Sequence, residues 1–205
     1  MDNEQHKQER KKQSAPAYSQ RQAEDRLSHF KEAIPEMKHP GEMNNVLSVT
    51  KDILESGFDV TEIHTMLADR ALQFAQKTLE EGGAHFVEEF VAIAKGTIAN
   101  VQATLRRISE MSLNIASTKL EEGDVGLVRK FLNIGQLASD ENRSLEEKLE
   151  SRLMQLSDEK LADDDVDVVE TYLLIAKTIQ PELTPQRQQI SEKAIRLAER
   201  SFDSG

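Results

Sequence analysis

Apolar residues return along this chain at helical spacing, and from residue 67 onward the whole pattern repeats. Residues 67–99, LADRALQFAQKTLEEGGAHFVEEFVAIAKGTIA, align without a gap over 108–140, ISEMSLNIASTKLEEGDVGLVRKFLNIGQLASD. The segment 149–181, LESRLMQLSDEKLADDDVDVVETYLLIAKTIQP, falls beneath both, and 190–205, ISEKAIRLAERSFDSG, begins a fourth line; each shift is 41 residues. Apolar columns stay apolar: Leu67, Ile108, Leu149 and Ile190; Leu72, Leu113, Met154 and Ile195; Phe74, Ile115, Leu156 and Leu197; Leu79, Leu120, Leu161 and Phe202. Later columns hold Val87, Val128 and Val169; Phe90, Phe131 and Tyr172; Ile93, Ile134 and Ile175. Two columns hold only small residues, Ala75, Ala116, Ser157 and Ala198, and Ala94, Gly135 and Ala176. Small side chains at fixed points let two helix axes approach closely, as a recurring helical hairpin requires. LEEGG at 79–83, LEEGD at 120–124 and LADDD at 161–165 place Gly or Asp where one helix ends and the next begins.

The flanking segments fit the same scheme. Residues 1–19, rich in Gln, Lys, Glu and Ser, read as a disordered tail. Leu27, Phe30 and Ile34 predict a helix over about 20–34, the two prolines and glycine of 35–41 a break, and 42–56 a second helix stopped at Gly57. VLSVTKDIL at 46–54 echoes FVAIAKGTI at 90–98, so 20–57 is a divergent first hairpin. Full repeats follow at about 62–100, 101–141 and 142–182, then a terminal helix over 185–202 with Thr184 as N-cap and Pro185 at its first position. The expected architecture is all-α, one repeat domain over 20–205, with about nine helices in tandem hairpins forming a short α-solenoid. In general form this is similar to the TPR and HEAT class of helical repeats. The resemblance is architectural, because the period and the Trp, Gly and Pro pattern of TPR are missing, as is the Pro, Asp and basic signature of HEAT.

In the first helix of each repeat the columns Gln73/Asn114/Gln155/Arg196 and Gln76/Ser117/Asp158/Glu199 are polar and predict a solvated face. The second helix is apolar over nearly half its circumference, counting positions equivalent to Phe86, Val87, Phe90, Val91, Ile93, Ala94 and Ile98. Its remaining stripe contains Glu88/Arg129/Glu170, Ala92/Asn133/Leu174, Lys95/Gln136/Lys177 and Gly96/Leu137/Thr178. Inner helices of solenoids line a groove that reads partners, so Asn133, Gln136, Leu137, Leu174 and Lys177 are the candidate protein-binding residues. The competing reading has Leu137 and Leu174 packing neighbouring repeats, since single surface leucines are ordinary.

Composition narrows the function. With 26 basic and 37 acidic residues the formal charge is −11. Residues 1–24 hold five basic and four acidic groups, leaving 21 and 33 for the remainder. An acidic body repels phosphate backbones, so nucleic acid is excluded as a general partner and a basic protein is favoured. No Cys is present, and nothing approaches the ~18 apolar residues of a membrane span. A cytoplasmic protein is the default expectation, and an exported effector that blocks a target protein has the same features.

Candidate chemistry is sparse. Asp163, Asp165 and Asp167 have the spacing of an EF-hand start, but Val168 and Leu174 stand where that loop needs Gly and Glu. His6, His29, His39, His64 and His85 form no HExxH or comparable pair, and no nucleophile elbow or phosphate loop occurs. A bundle enzyme needs ionisable groups inside the apolar columns, which show almost none. No catalytic residue, metal or cofactor is therefore nominated, and the expected role is a non-catalytic adaptor, scaffold or regulatory subunit. Ile190, Ile195 and Leu197 of the unpaired last helix offer a face for a second copy of the chain.

Overall fold

The computed structural model of the chain describes residues 18–182 and 184–203. The tail expected at 1–19 therefore falls, through residue 17, outside the described residues, as does the side chain of Phe202. Nine α-helices and no strand occur among the described residues: α1 (Gln20–Ala33), α2 (Pro40–Glu55), α3 (Thr61–Glu80), α4 (Val87–Gly96), α5 (Gln102–Glu121), α6 (Val125–Ala138), α7 (Arg143–Ala162), α8 (Val166–Ile179) and α9 (Pro185–Asp203). A 3₁₀ turn, Ile34–Glu36, follows α1. The helices α3, α5 and α7 are each 20 residues long and begin at 61, 102 and 143, which is the sequence period.

Contacts divide the chain into two compact units, Met1–Thr78 with His85–Val101, and Leu79–Ala84 with Gln102–Gly205. In the first unit α1 packs on α2 and α2 on α4, and Phe74 of α3 stacks on Phe90 of α4 with ring centroids 5.4 Å apart. In the second unit α5 pairs with α6 and α7 with α8 as hairpins. There α5 also lies along α7, α6 along α8, and α9 against both α7 and α8. Like helices stack on like, which is the packing that a tandem repeat demands.

Equivalent letters occupy equivalent environments in the full repeats, and the terminal helix departs from them at Ile195 and Ala198, which are exposed where their counterparts are buried. Leu67, Ile108, Leu149 and Ile190 are buried, as are Leu79, Leu120 and Leu161. The second-helix columns from Val87, Phe90, Ile93 and Ala94 are buried in every copy, whereas Phe74, Ile115, Leu156 and Leu197 are all half-buried. Each fully buried Leu or Ile contributes roughly 1.5–3 kcal/mol relative to exposure. Gly135 shows why its column is small. A Cβ there would lie 2.9 Å from Leu113 Cγ.

The hairpin turns share one backbone device. Gly82, Gly123 and Asp164, one period apart, all have left-handed φ, at 72°, 77° and 59°. Gly123 N–H and Asp164 N–H bond the carbonyls of Leu120 and Leu161, and Asp124 and Asp165 N–H reach back to Lys119 and Lys160. These close the carbonyl end of one helix. Asp124 then caps the next, its carboxylate accepting from Leu127 N–H at 3.0 Å. The Asp163–Asp167 run is thus a helix-to-helix turn.

Four sequence expectations are corrected. The second helix begins at Pro40, two residues earlier than expected. Proline at the first helical position loses no hydrogen bond, and His39 Nδ1 caps Gly41 N–H while Glu42 accepts from His39 N–H. Phe86, expected inside a helix, is non-helical with φ of 58°, and α4 starts at Val87. Its relatives α6 and α8 start three positions earlier in the repeat register, behind Asp124 and Asp165. Gly83 stands at the equivalent point and lacks the carboxylate with which Asp124 caps α6. Asp165 makes no side-chain cap bond either, so the left-handed turn at Phe86 rather than a missing cap marks the difference. Ile98, also counted into that helix, lies beyond its end and is exposed. In α9, Ile190 is buried and so gives nothing to a second copy, while Ile195 is 58% exposed. The start of α9 stands as read, with Arg187 N–H 3.3 Å from Thr184 Oγ1.

Candidate functional site

The predicted stripe lies on α6 and α8 of the second unit. Buried Val128, Phe131, Ile134 and Gly135 turn one face of α6 inward, and Val169, Tyr172, Ile175 and Ala176 do the same for α8. Helical geometry then puts Asn133, Leu137, Leu174 and Lys177 outward, and all four are exposed. Leu137 retains 38% of its accessible surface and Leu174 48%. Gln136 is half-buried, because its side-chain amide donates to Thr178 O of α8 at 3.3 Å. It ties the two helices together as well as facing outward.

Leu174 and Lys177 border a hollow of about 360 Å³ lined also by Glu170, Leu173, Pro181, Arg187 and Ser191. The structure thus brings two of the five candidates to one concavity, adds Gln136 as a strut, and leaves Asn133 and Leu137 on the α6 surface beside them.

Sequence reasoning missed a buried ion pair. Glu150 of α7 and Arg187 of α9 retain 8% and 3% of their surface, with Arg187 Nε 4.0 Å from Glu150 Oε1. Arg187 Nη1 donates to Gln180 O at 2.7 Å, but Arg187 Nε, Arg187 Nη2 and Glu150 Oε1 have no hydrogen-bond partner. Burial pushes the Glu150 carboxyl above its ordinary value, and Arg187 opposes the shift. The signal was present in the letters. Glu150 interrupts a column otherwise made of Ala68, Ser109 and Ser191, and Arg187 shares one with His64, Leu105 and Glu146.

Exposed pairs reinforce the stacking of first helices. Arg152 of α7 clasps Glu121 of α5 with two bonds of 2.6 and 2.7 Å, and Lys193 of α9 meets Asp158 of α7 at 2.8 Å. The Arg152 bonds hold the Glu121 carboxyl below its ordinary value. Such surface pairs orient more than they stabilise.

Among the described residues, no group of three or more His, Cys, Asp or Glu side chains is placed to hold a metal ion. Among the same residues no helix is long and apolar enough to cross a membrane. Comparison with protein-family models, with curated proteins and with solved structures finds no match, so the functional reading rests on the residues of this chain.

Proposed function

We propose that this chain is a non-catalytic interaction module that holds a partner protein along the outward stripe of α6 and α8, with Asn133, Gln136, Leu137, Leu174 and Lys177 at the contact. The observation that carries this reading is Leu174. A leucine with 48% of its surface exposed stands at the rim of a hollow that also contains Leu173 and Pro181, with Leu137 exposed on α6. An apolar rim flanked by Lys177, Glu170 and Asn133 suits one or two anchoring side chains of a partner, with polar groups fixing their orientation. The excess of acidic over basic side chains favours a partner of net positive charge, and salt should weaken its association.

The test is affinity capture from the source organism followed by mass spectrometry, using the unaltered chain and the Leu137→Asp/Leu174→Asp double variant. The proposal expects a partner recovered by the first and lost with the second, both baits having the same circular dichroism. Equal recovery by the two baits contradicts it.

A further inference from the structure

His64 is the one buried histidine among the described residues, and its hydrogen bonds fix its protonation state. Its Nε2 lies 2.8 Å from Thr50 Oγ1 of α2. That hydroxyl has a single hydrogen, which it gives to the carbonyls of its own helix, Val46 O at 2.8 Å and Leu47 O at 3.1 Å. Thr50 Oγ1 must therefore accept, and Nε2 carries the hydrogen. On the other side of the ring, the backbone N–H of Ile98 donates to Nδ1 at 3.1 Å. Both ring nitrogens are thus committed to one neutral tautomer. A second proton on Nδ1 would face the Ile98 N–H, donor against donor.

Ile98 belongs to the segment 97–101, which leads from α4 into α5. Its exposed side chain does little to anchor it. The bond to His64 Nδ1 ties this segment to α3, while Thr97 Oγ1 holds its beginning to Ala94 O at 2.7 Å.

One charged neighbour, Lys51, opposes the imidazolium. On α2, Lys51 raises the cost of a positive ring, and Asp52 is exposed. At the end of α4, Lys95 is exposed like Asp52, and the Lys51 ammonium lies over Gly96. One turn either way from His64 stand Val60, just before α3, and Thr61, Leu67 and Ala68, and residues 97–101 are Thr, Ile, Ala, Asn and Val, none of them charged. Burial first, and Lys51 second, hold the imidazole below its ordinary 6.5.

We propose that His64 is an acid-released latch: a proton added at Nδ1 displaces the Ile98 N–H and frees the segment 97–101 from α3. The sign follows from linkage. The released ring takes up its proton near the ordinary 6.5, and the latched ring only at lower pH. Closure is therefore fully favoured above that value and weakens, by at most about tenfold per pH unit, as pH drops from it toward the latched value.

The experiment is a pH titration of the full chain by NMR, reading the His64 ring nitrogens together with amide hydrogen exchange. Exchange is expressed as protection relative to the intrinsic rate at each pH, with the Phe131 amide as an internal control. The proposal expects the Nε2–H tautomer above neutrality. It expects Ile98 protection to fall as pH drops through the window, by at most about tenfold per pH unit, while Phe131 protection holds. In His64→Asn, the Oδ1 atom replaces Nδ1 as an acceptor without titrating, so Ile98 protection should become independent of pH. An Nδ1–H tautomer, or ring protonation with unchanged Ile98 protection, overturns the proposal. So does a His64→Asn variant that still shows the acid-dependent loss. If that variant does not fold, the unaltered chain decides alone.

Discussion

Two alanine substitutions in α6 should have opposite effects. Gly126 and Gly135 lie in the same helix, so each gains helix propensity on replacement by Ala, at most about 1 kcal/mol. Their surroundings differ. A Cβ at Gly126 meets Asp124 Oδ1 at 3.6 Å, an ordinary contact, and Gly126→Ala should stabilise by up to about 1 kcal/mol. A Cβ at Gly135 lies 2.9 Å from Leu113 Cγ and 3.0 Å from its Cδ2. Leu113 is buried and Cγ is its branch point, so relief requires moving the whole side chain or parting α5 from α6. Overpacking of this kind costs roughly 1–3 kcal/mol. Set against the propensity gain, Gly135→Ala should destabilise by up to about 2 kcal/mol. The two variants should then differ by about 1–3 kcal/mol, at roughly 2–4 °C per kcal/mol for a chain of this size. Thermal and urea unfolding followed by far-ultraviolet circular dichroism measures both. Equal stabilisation by the two changes would refute the claim that close approach of α5 and α6 dictates the small column.

Other substitutions probe other joints. Asp164 occupies the left-handed position that Gly82 and Gly123 fill in the other turns, so Asp164→Gly should raise stability by about 0.5–1 kcal/mol in urea unfolding; a loss would contradict the turn assignment. Glu150→Leu alone, or Arg187→Met alone, should cost about 3–5 kcal/mol by stranding one buried charge. The double variant should return to within about 1 kcal/mol of the starting protein, giving a large coupling in a double-mutant cycle, and additive losses would contradict the pairing.

The hairpins were legible because their determinants are local and repeated. A small column and a left-handed turn residue recur one period apart, and at Gly123 and Asp124 the sequence and the backbone agree in detail. The start of α4 was misread because apolar periodicity continues through Phe86, and hydrophobic spacing does not register the left-handed φ that the backbone takes there. Pro40 and Gly41 looked like helix breakers, yet proline is tolerated at a helix start when His39 and Glu42 supply the cap. The stripe on α6 and α8 was readable from helical geometry alone. The hollow beside Leu174 was not, since Arg187 and Ser191 reach it from α9, beyond the repeat that supplies Leu174 and Lys177. The buried partners of His64 lie on α2 and after α4, at separations that no one-dimensional pattern links.

Removing one full repeat tests the repeat itself most directly. Deletion of residues 102–142 joins Val101 to Arg143, so every helix that follows keeps the register of the one it replaces. The shortened chain should remain helical and unfold cooperatively, because each hairpin contacts only its neighbours. A matched deletion of 102–137, which leaves the last residue of α6 and its connecting loop behind, should lose cooperative unfolding. Equal loss of cooperative structure in both deletions would contradict a fold built from interchangeable hairpins.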